Sequence, residues 1–265
     1  MNNTMSLNVE KPSVSVIVTT YNRLNLLPET LFSILSQTFT DFELIIVDNM
    51  SMDGTSEYVA SLTDPRIRYF RNPNNGIIAV NRNYGIRQAV GRYIAFCDDD
   101  DLWMLDKLTK QVALLETTPE IVLCYTNAES FVGKKILSAR MISRVVHQHH
   151  FWQLLRGNFI PNSSVLIRSN VFQKVGLLSE SPDLREDYEM CLRIAHKHEI
   201  AGIDEPLIRY RVHVGNVAGN RVSETLRAIR TVKSVIRLLC IPWYIAIPNV
   251  AFQHLKCFFY KFTSR

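Results

Sequence analysis

The run Val14–Thr19 (VSVIVT) sets the first limit on the fold, because an unbroken β-branched stretch suits a strand buried on both faces. A helix follows, with Asn25 at its start, Pro28 in its first turn and Leu27, Leu31, Ile34 and Leu35 on one face. Glu43–Val47 (ELIIV) reads as a second strand running into Asp48, and Ser51–Thr55 (SMDGT) as a turn that caps a short helix. Ile67–Phe70 is a third strand, Ile77–Val90 a helix, and Arg92–Cys97 (RYIAFC) a fourth strand that runs into Asp98. A helix around Leu105–Glu116 and a strand at Ile121–Thr126 complete the regular half. Strands alternating with helices predict an α/β fold, a mostly parallel twisted sheet flanked by helices. Ligands of such sheets gather beyond the carboxyl ends of the strands. Those ends carry Thr19, Thr20 and Tyr21, then Asp48, then Asp98 to Asp101.

The second half is less regular. A loop region runs to about His150, a helix lies near Phe151–Arg156, a strand at Ser164–Arg168 and a helix at Arg185–His198. On that last helix Tyr188, Cys191, Leu192 and Ala195 share one face, and Leu207–Arg211 reads as a final strand.

Composition narrows the class. With 265 residues, 47% of them apolar, the chain can bury a core of one large domain and a short appendage. Five cysteines without a Cys-x-x-Cys pair point away from a disulfide framework or zinc and toward a reducing compartment. The opening MNNTMSLNVE has no basic start followed by an apolar run, so no secretory signal is expected and a cytoplasmic location is. The net charge of +5 is local: from Arg221 onward there are eight Lys or Arg against one acid, and the remainder is slightly acidic. That distribution points to a local anionic surface and, with no nucleic-acid-binding motif, away from a protein built to hold nucleic acid.

Four consecutive aspartates at a strand end repel one another unless a cation or good donors offset them. Carboxylates are hard ligands suited to Mg²⁺ or Mn²⁺, and Mg²⁺ commonly takes one or two of them together with substrate phosphates. A solvated turn whose acids cap the next helix is the competing explanation, and for Asp101 the better one.

VSVIVTTYNR (Val14–Arg23), FELIIVDNMSMDGT (Phe42–Thr55), the Arg82–Gly85 segment, GRYIAFCDDDDLW (Gly91–Trp103) and LREDYEMCLR (Leu184–Arg193) follow the order and spacing of family-2 glycosyltransferases with the GT-A fold. The resemblance spans about residues 12–215 and is strongest to bacterial enzymes of surface polysaccharide and spore-coat glycan assembly. It implies an inverting, metal-dependent transferase that moves sugar from a nucleoside-diphosphate donor, UDP first, to a glycan or lipid-linked acceptor. It divides residues 1–219 into a nucleotide-sugar half (about 12–128) and an acceptor half (about 129–219). By the same resemblance Thr20 and Tyr21 would lie against the base and Asp48 on base or ribose. Arg82 would approach the diphosphate or sugar, and Asp98 and Asp99 the ribose and sugar hydroxyls. Asp100 would be the direct metal ligand, with His213 beside the diphosphate or metal. Trp103, Asn162, Ser163 and Glu186 would form the acceptor side. Asn49 replaces a second aspartate usual in the family, which leaves base selectivity open.

Inverting transfer needs a carboxylate to take the acceptor's hydroxyl proton. The family's Glu-Asp pair puts that base at Asp187, at the start of the helix near Arg185, where exposed N–H groups favour an ionised carboxylate. Residues 220–265 form the appendage. Arg227, Arg230, Lys233 and Arg237 fall on one helical face, and Ala228, Ile229, Val232, Val235, Ile236 and Leu239 on the other. An amphipathic basic helix of this kind, followed by a short proline-interrupted apolar stretch, predicts peripheral contact with the inner face of the membrane. Packing of that helix on the catalytic domain, or its use as a dimer contact, is the alternative. Other functions weighed are a nucleotidyltransferase, which would want a Gly-rich phosphate loop where TTYNR stands, and a non-catalytic nucleotide-sugar module, in which the acids should have decayed. An oxidoreductase would need Gly-x-Gly-x-x-Gly after Val18, and none follows.

Overall fold

The structure, a computed structural model, describes residues 11–142, 150–212 and 221–242, together with 244, 248 and 251. His213 and most of the chain after Ile241 lie outside the described residues.

The α/β alternation holds through the first half: β1 (Val14–Thr20), α1 (Leu27–Leu35), β2 (Phe42–Asp48), α2 (Thr55–Ser61), β3 (Ile67–Arg71), α3 (Ile78–Gln88), β4 (Tyr93–Asp98). A short β5 (Leu102–Trp103) and helix α4 (Lys107–Thr117) lead to β6 (Ile121–Val132), which forms a hairpin with β7 (Lys135–Ser138). Then come α5 (His150–Leu154), a 3-10 turn at Asn162–Ser164, β8 (Leu166–Arg168), α6 (Val171–Val175), α7 (Glu186–Lys197), β9 (Glu199–Arg211) and α8 (Arg221–Leu238). The sheet order is β3-β2-β1-β4-β8-β6-β9-β5. Strands β1 to β4 are mutually parallel, as the alternation predicts. Beyond them β8 runs antiparallel to both β4 and β6, so the second half of the sheet is mixed.

Every residue of β1 and β2 is buried, because helices cover both faces. Side chains alternate across the pleat. Ile17 therefore joins Ile45, Phe96, Ala79 and the α7 residues in one core, while Val16 and Val18 join Leu31, Leu44 and Leu108 in the other. Helix α3 lies so close to β1 that a Cβ on Gly85 would sit 2.6 Å from Ile17 Cγ2.

Strand order reverses at β1, since the chain lays β2 and β3 on one side and returns to place β4 on the other. A crevice opens at such a reversal, beyond the carboxyl ends. The register brings three ends level there: Thr20 beside Asp48, and Thr19 beside Asp98.

The C-terminal helix is placed differently from the membrane expectation. Its Ala228, Val232 and Val235 are buried in the same core as α7, with Ile236 and Leu239 packed against it, and Ile229 is buried as well. The apolar face assigned to a bilayer is thus the seam that joins α8 to the catalytic unit, and apolar area used there is not available to lipid. No helix among the described residues is long and apolar enough to cross a membrane.

Candidate active site

A cleft of about 570 Å³ opens at the reversal point. Asp98 and Asp100 from the end of β4, Arg82 from α3, Asn162 from the 3-10 turn, and Glu186 and Asp187 from the start of α7 all line it. Residues eighty or more positions apart converge because β4 and the α7 N-terminus point into one space.

Arg82 organises it. Its guanidinium, only 6% exposed, donates through Nη2 to Asp98 Oδ1 at 2.6 Å and through Nη1 to Glu186. Burial would lower its pKa, but Asp98, Glu186 and Asp187 together drive it higher, so the cation is fixed. Burial pushes the Glu186 carboxyl up, opposed by Arg82 and reinforced by Asp187. Asp187 is held far more lightly: Asn158 Nδ2 approaches its Oδ2 at 3.4 Å, near the limit of a hydrogen bond.

The four aspartates do not splay into water. Asp98 also accepts from Asn162 Nδ2 at 2.9 Å. Arg23 Nη1 bridges Asp99 Oδ1 and Asp100 Oδ2, each at 2.9 Å. Asp99 takes a further bond from Thr20 Oγ1 at 2.8 Å, and burial nonetheless raises its pKa to about 6. Asp101 is fully enclosed, accepting from Ser163 Oγ at 2.6 Å and from the Arg211 amide at 3.1 Å. Its pKa is raised by burial and by Asp98 and Asp100. Its role is to tie β4 to β9, so the helix-capping expectation for Asp101 gives way to a cross-sheet bracket.

Several expected site residues therefore stand behind the cleft. Thr20 and Asp99 bond to each other, and Asp48, wholly buried, accepts from Ser51 Oγ at 2.5 Å and from Tyr69 OH at 2.6 Å. These bonds hold the loop after β2, and Asp48 presents no oxygen to the cleft. Tyr21 is exposed on the adjoining loop, outside the cleft lining. Trp103 is a correction: it is 4% exposed, its Nε1 donates to Ser163 O at 3.0 Å, and Lys107 Nζ lies 3.8 Å from its ring centroid. With edge and face both occupied, it cannot stack on a sugar. Ser163 is likewise internal, its Oγ accepting from the Asp98 amide at 3.0 Å and donating to Asp101. Arg23, Asn158, Arg185, Glu224 and Arg227 also line the cleft and were not assigned to the site from sequence. Arg23 stands in a motif quoted above, whereas Glu224 and Arg227 reach the cleft only because α8 packs back on α7.

Hard oxygen donors meet an arginine-bound acid pair at the switch point of an α/β sheet, opposite a lightly held carboxylate, in a fold of the GT-A type. The chain belongs to the family described as Glycosyl transferase family 2, whose match covers residues 15–176. It is 35% identical over 215 residues to an uncharacterized glycosyltransferase of Rickettsia felis, covering 80% of this chain and 35% of that protein, so it spans about a third of that relative's length. It is 31% identical over 255 residues to the Escherichia coli UDP-Glc:alpha-D-GlcNAc-diphosphoundecaprenol beta-1,3-glucosyltransferase WfaP, covering 94% of this chain and 97% of that one. Among solved structures, the mannosyltransferase PcManGT from Pyrobaculum calidifontis in complex with GDP-Man and Mn²⁺ superposes with a TM-score of 0.66 at 20% identity. That match covers 92% of this chain and 74% of the other, a likeness of fold.

Proposed function

We propose that the chain is an inverting glycosyltransferase that moves a sugar from a nucleoside-diphosphate donor, UDP-glucose first among candidates, to a lipid-diphosphate-linked glycan acceptor in surface polysaccharide assembly. The observation that carries this reading is the single cleft shared by Asp98 and Asp100 on one side and Asp187 on the other. The WfaP similarity, which runs nearly the length of both chains, supports the choice of donor and acceptor. An acceptor of that kind resides in a membrane, so the enzyme would work at the inner membrane face, with any lipid contact falling outside the apolar face of α8.

Asp98 and Asp100 fit a divalent ion in donor chemistry, both being hard oxygen ligands at the cleft. Among the described residues no group of three or more His, Cys, Asp or Glu is placed to hold one unaided. Mg²⁺ or Mn²⁺ would therefore be held by Asp98 and Asp100 with the donor's phosphates completing its shell, as Mg²⁺ commonly is. When bound, the ion supplies positive charge to the departing diphosphate. Arg82 is committed to Asp98 and Glu186 and orients both acids. Asp187 accepts the proton of the acceptor hydroxyl as that oxygen forms its bond to the anomeric carbon. The bond from that carbon to the diphosphate breaks on the opposite face, UDP leaves and the configuration inverts. Of the adjacent acids, Glu186 is engaged by Arg82, which leaves Asp187 as the base.

Asp187→Asn keeps the shape and removes the basicity. Turnover of UDP-glucose with GlcNAc-diphosphoundecaprenol should fall by about 10²–10⁴-fold, with UDP affinity in Mn²⁺ held near the parent value by titration calorimetry. Near-normal turnover would reject the base assignment.

A further inference from the structure

Helix α7 begins without a side-chain cap at its N-terminus, and Arg185 precedes it in extended conformation. The four leading N–H groups of a helix lack internal partners, so such an end depends on outside contacts for its direction. Here the contacts come from α8. Thr231 Oγ1 accepts from the Arg185 N–H at 2.9 Å and donates to the Arg227 carbonyl at 2.9 Å. Arg227 Nη2 donates to the Leu184 carbonyl at 2.9 Å, and its Nη1 donates to Glu224 at 3.1 Å. Leu184 C=O and Arg185 N–H belong to one peptide group. Both of its polar atoms are therefore held by α8, two residues before Asp187. Thr231 is fully buried, so no solvent competes at the amide end.

We infer that Thr231 and Arg227 are positioning residues for the reaction: they fix the Leu184–Arg185 peptide plane and thereby set how Asp187 enters the cleft. This rests on Asp187 being the base. A peptide plane gripped at both ends can neither rotate nor slide along the chain, and the first turn of α7 inherits its orientation. The gripping helix lies beyond the segment that matches the family, residues 15–176. The C-terminal helix is thus a working part of the active site on its acceptor side, where Glu224 and Arg227 also form the wall. Reaction geometry is sensitive to such support, since misplacement of a reacting group by about 1 Å costs on the order of 10²-fold in rate.

Thr231→Val preserves shape and removes the hydroxyl. In the full chain, with UDP-glucose and GlcNAc-diphosphoundecaprenol, kcat should drop about ten- to a hundredfold. The KM for UDP-glucose and the affinity for UDP in Mn²⁺ should stay at parent values, because Asp98 and Asp100 are untouched. Hydrogen exchange over residues 183–190 should quicken, and Thr231→Ser should restore both kcat and protection. Arg227→Met attacks the carbonyl end and should give the same split, which keeps the test open if the valine variant fails to fold. Arg230→Ala, which removes only the surface pair with Asp183, should keep the parent kcat. The inference is overturned if Thr231→Val or Arg227→Met folds and turns over at the parent kcat, or if Thr231→Ser refolds without recovering kcat. Asp187→Asn run alongside separates the two readings. Normal turnover in that variant overturns the base assignment, whereas an inactive Asp187→Asn beside a fully active Thr231→Val overturns the clamp alone.

Discussion

Lys107 offers a quantitative test of how the acidic strand end is underpinned. It is wholly buried on α4, with Nζ over the Trp103 ring and donating to Gln111 Oε1 at 2.7 Å. Gln111 in turn donates to the Cys124 and Ser164 carbonyls, so the lysine sits inside a closed hydrogen-bonded set. The nearby ionisable groups are the thiols of Cys97 and Cys124, both pushed upward by burial and hence uncharged at neutral pH. Desolvation lowers the lysine from 10.5 to about 7. The unfolded chain then binds one more proton than the folded chain between those two values, so stability rises with pH across that window and is flat below it. A shift of this size corresponds to about 5 kcal/mol over the whole window and, allowing for partial protonation, about 2.5 kcal/mol between about pH 7.5 and about pH 9.5. Lys107→Met keeps the length and removes the titration. Urea unfolding under reducing conditions should find the variant more stable than the parent near neutrality, with the gap closing by that amount as pH rises. Stability curves of parent and variant that run parallel in pH would refute the account.

Asp100→Asn removes one of the two carboxylates proposed to hold the metal and should weaken UDP binding in Mn²⁺ by about tenfold or more while changing binding in chelator far less, as read by calorimetry. A Cβ at Gly91 would meet Ser15 N at 2.6 Å and Val14 C at 2.8 Å, both backbone atoms of the central strand that cannot move aside. Gly91→Ala should therefore cost about 1–3 kcal/mol in denaturant unfolding with little change in the m-value.

The first half of the fold was legible because buried parallel strands announce themselves as apolar runs, and the acids at their ends follow from chain direction alone. Strand ends, though, do not say which side chains face the ligand. Thr20, Asp48 and Asp99 stand at the right height in the sheet but spend their polar atoms on Asp99, Ser51, Tyr69, Arg23 and Thr20. Trp103 shows the same limit from the apolar side: an aromatic after an acidic cluster suits a sugar or a core, and Lys107 and Ser163 decide for the core. Strand β9 came out too short because only Leu207–Arg211 has the apolar pattern, while Glu199–Pro206 is drawn into the sheet by pairing with β6. The largest revision is α8. Its periodicity gives an apolar face and a basic face, and period alone cannot distinguish lipid from protein as the partner. The buried threonine on that helix, Thr231, marks the difference, since its hydroxyl meets a specific peptide group.

Charge pairing is what separates two neighbouring acids on α7 in the proposed reaction. Five carboxylates line the cleft, Asp98, Asp100, Glu186, Asp187 and Glu224, the last paired with Arg227, and desolvation makes each costly unless matched. Arg23 answers Asp100, and Arg82 answers Asp98 and Glu186 at once, which locks α3, β4 and α7 together at the cleft. The residue that receives only a long amide contact is Asp187. A group held that lightly can accept a proton without first giving up an ion pair, and a group held as Glu186 is cannot. In the proposed reaction the base is thus chosen by where the arginines stop, and its orientation would come from the backbone beneath it, gripped by the helix that follows.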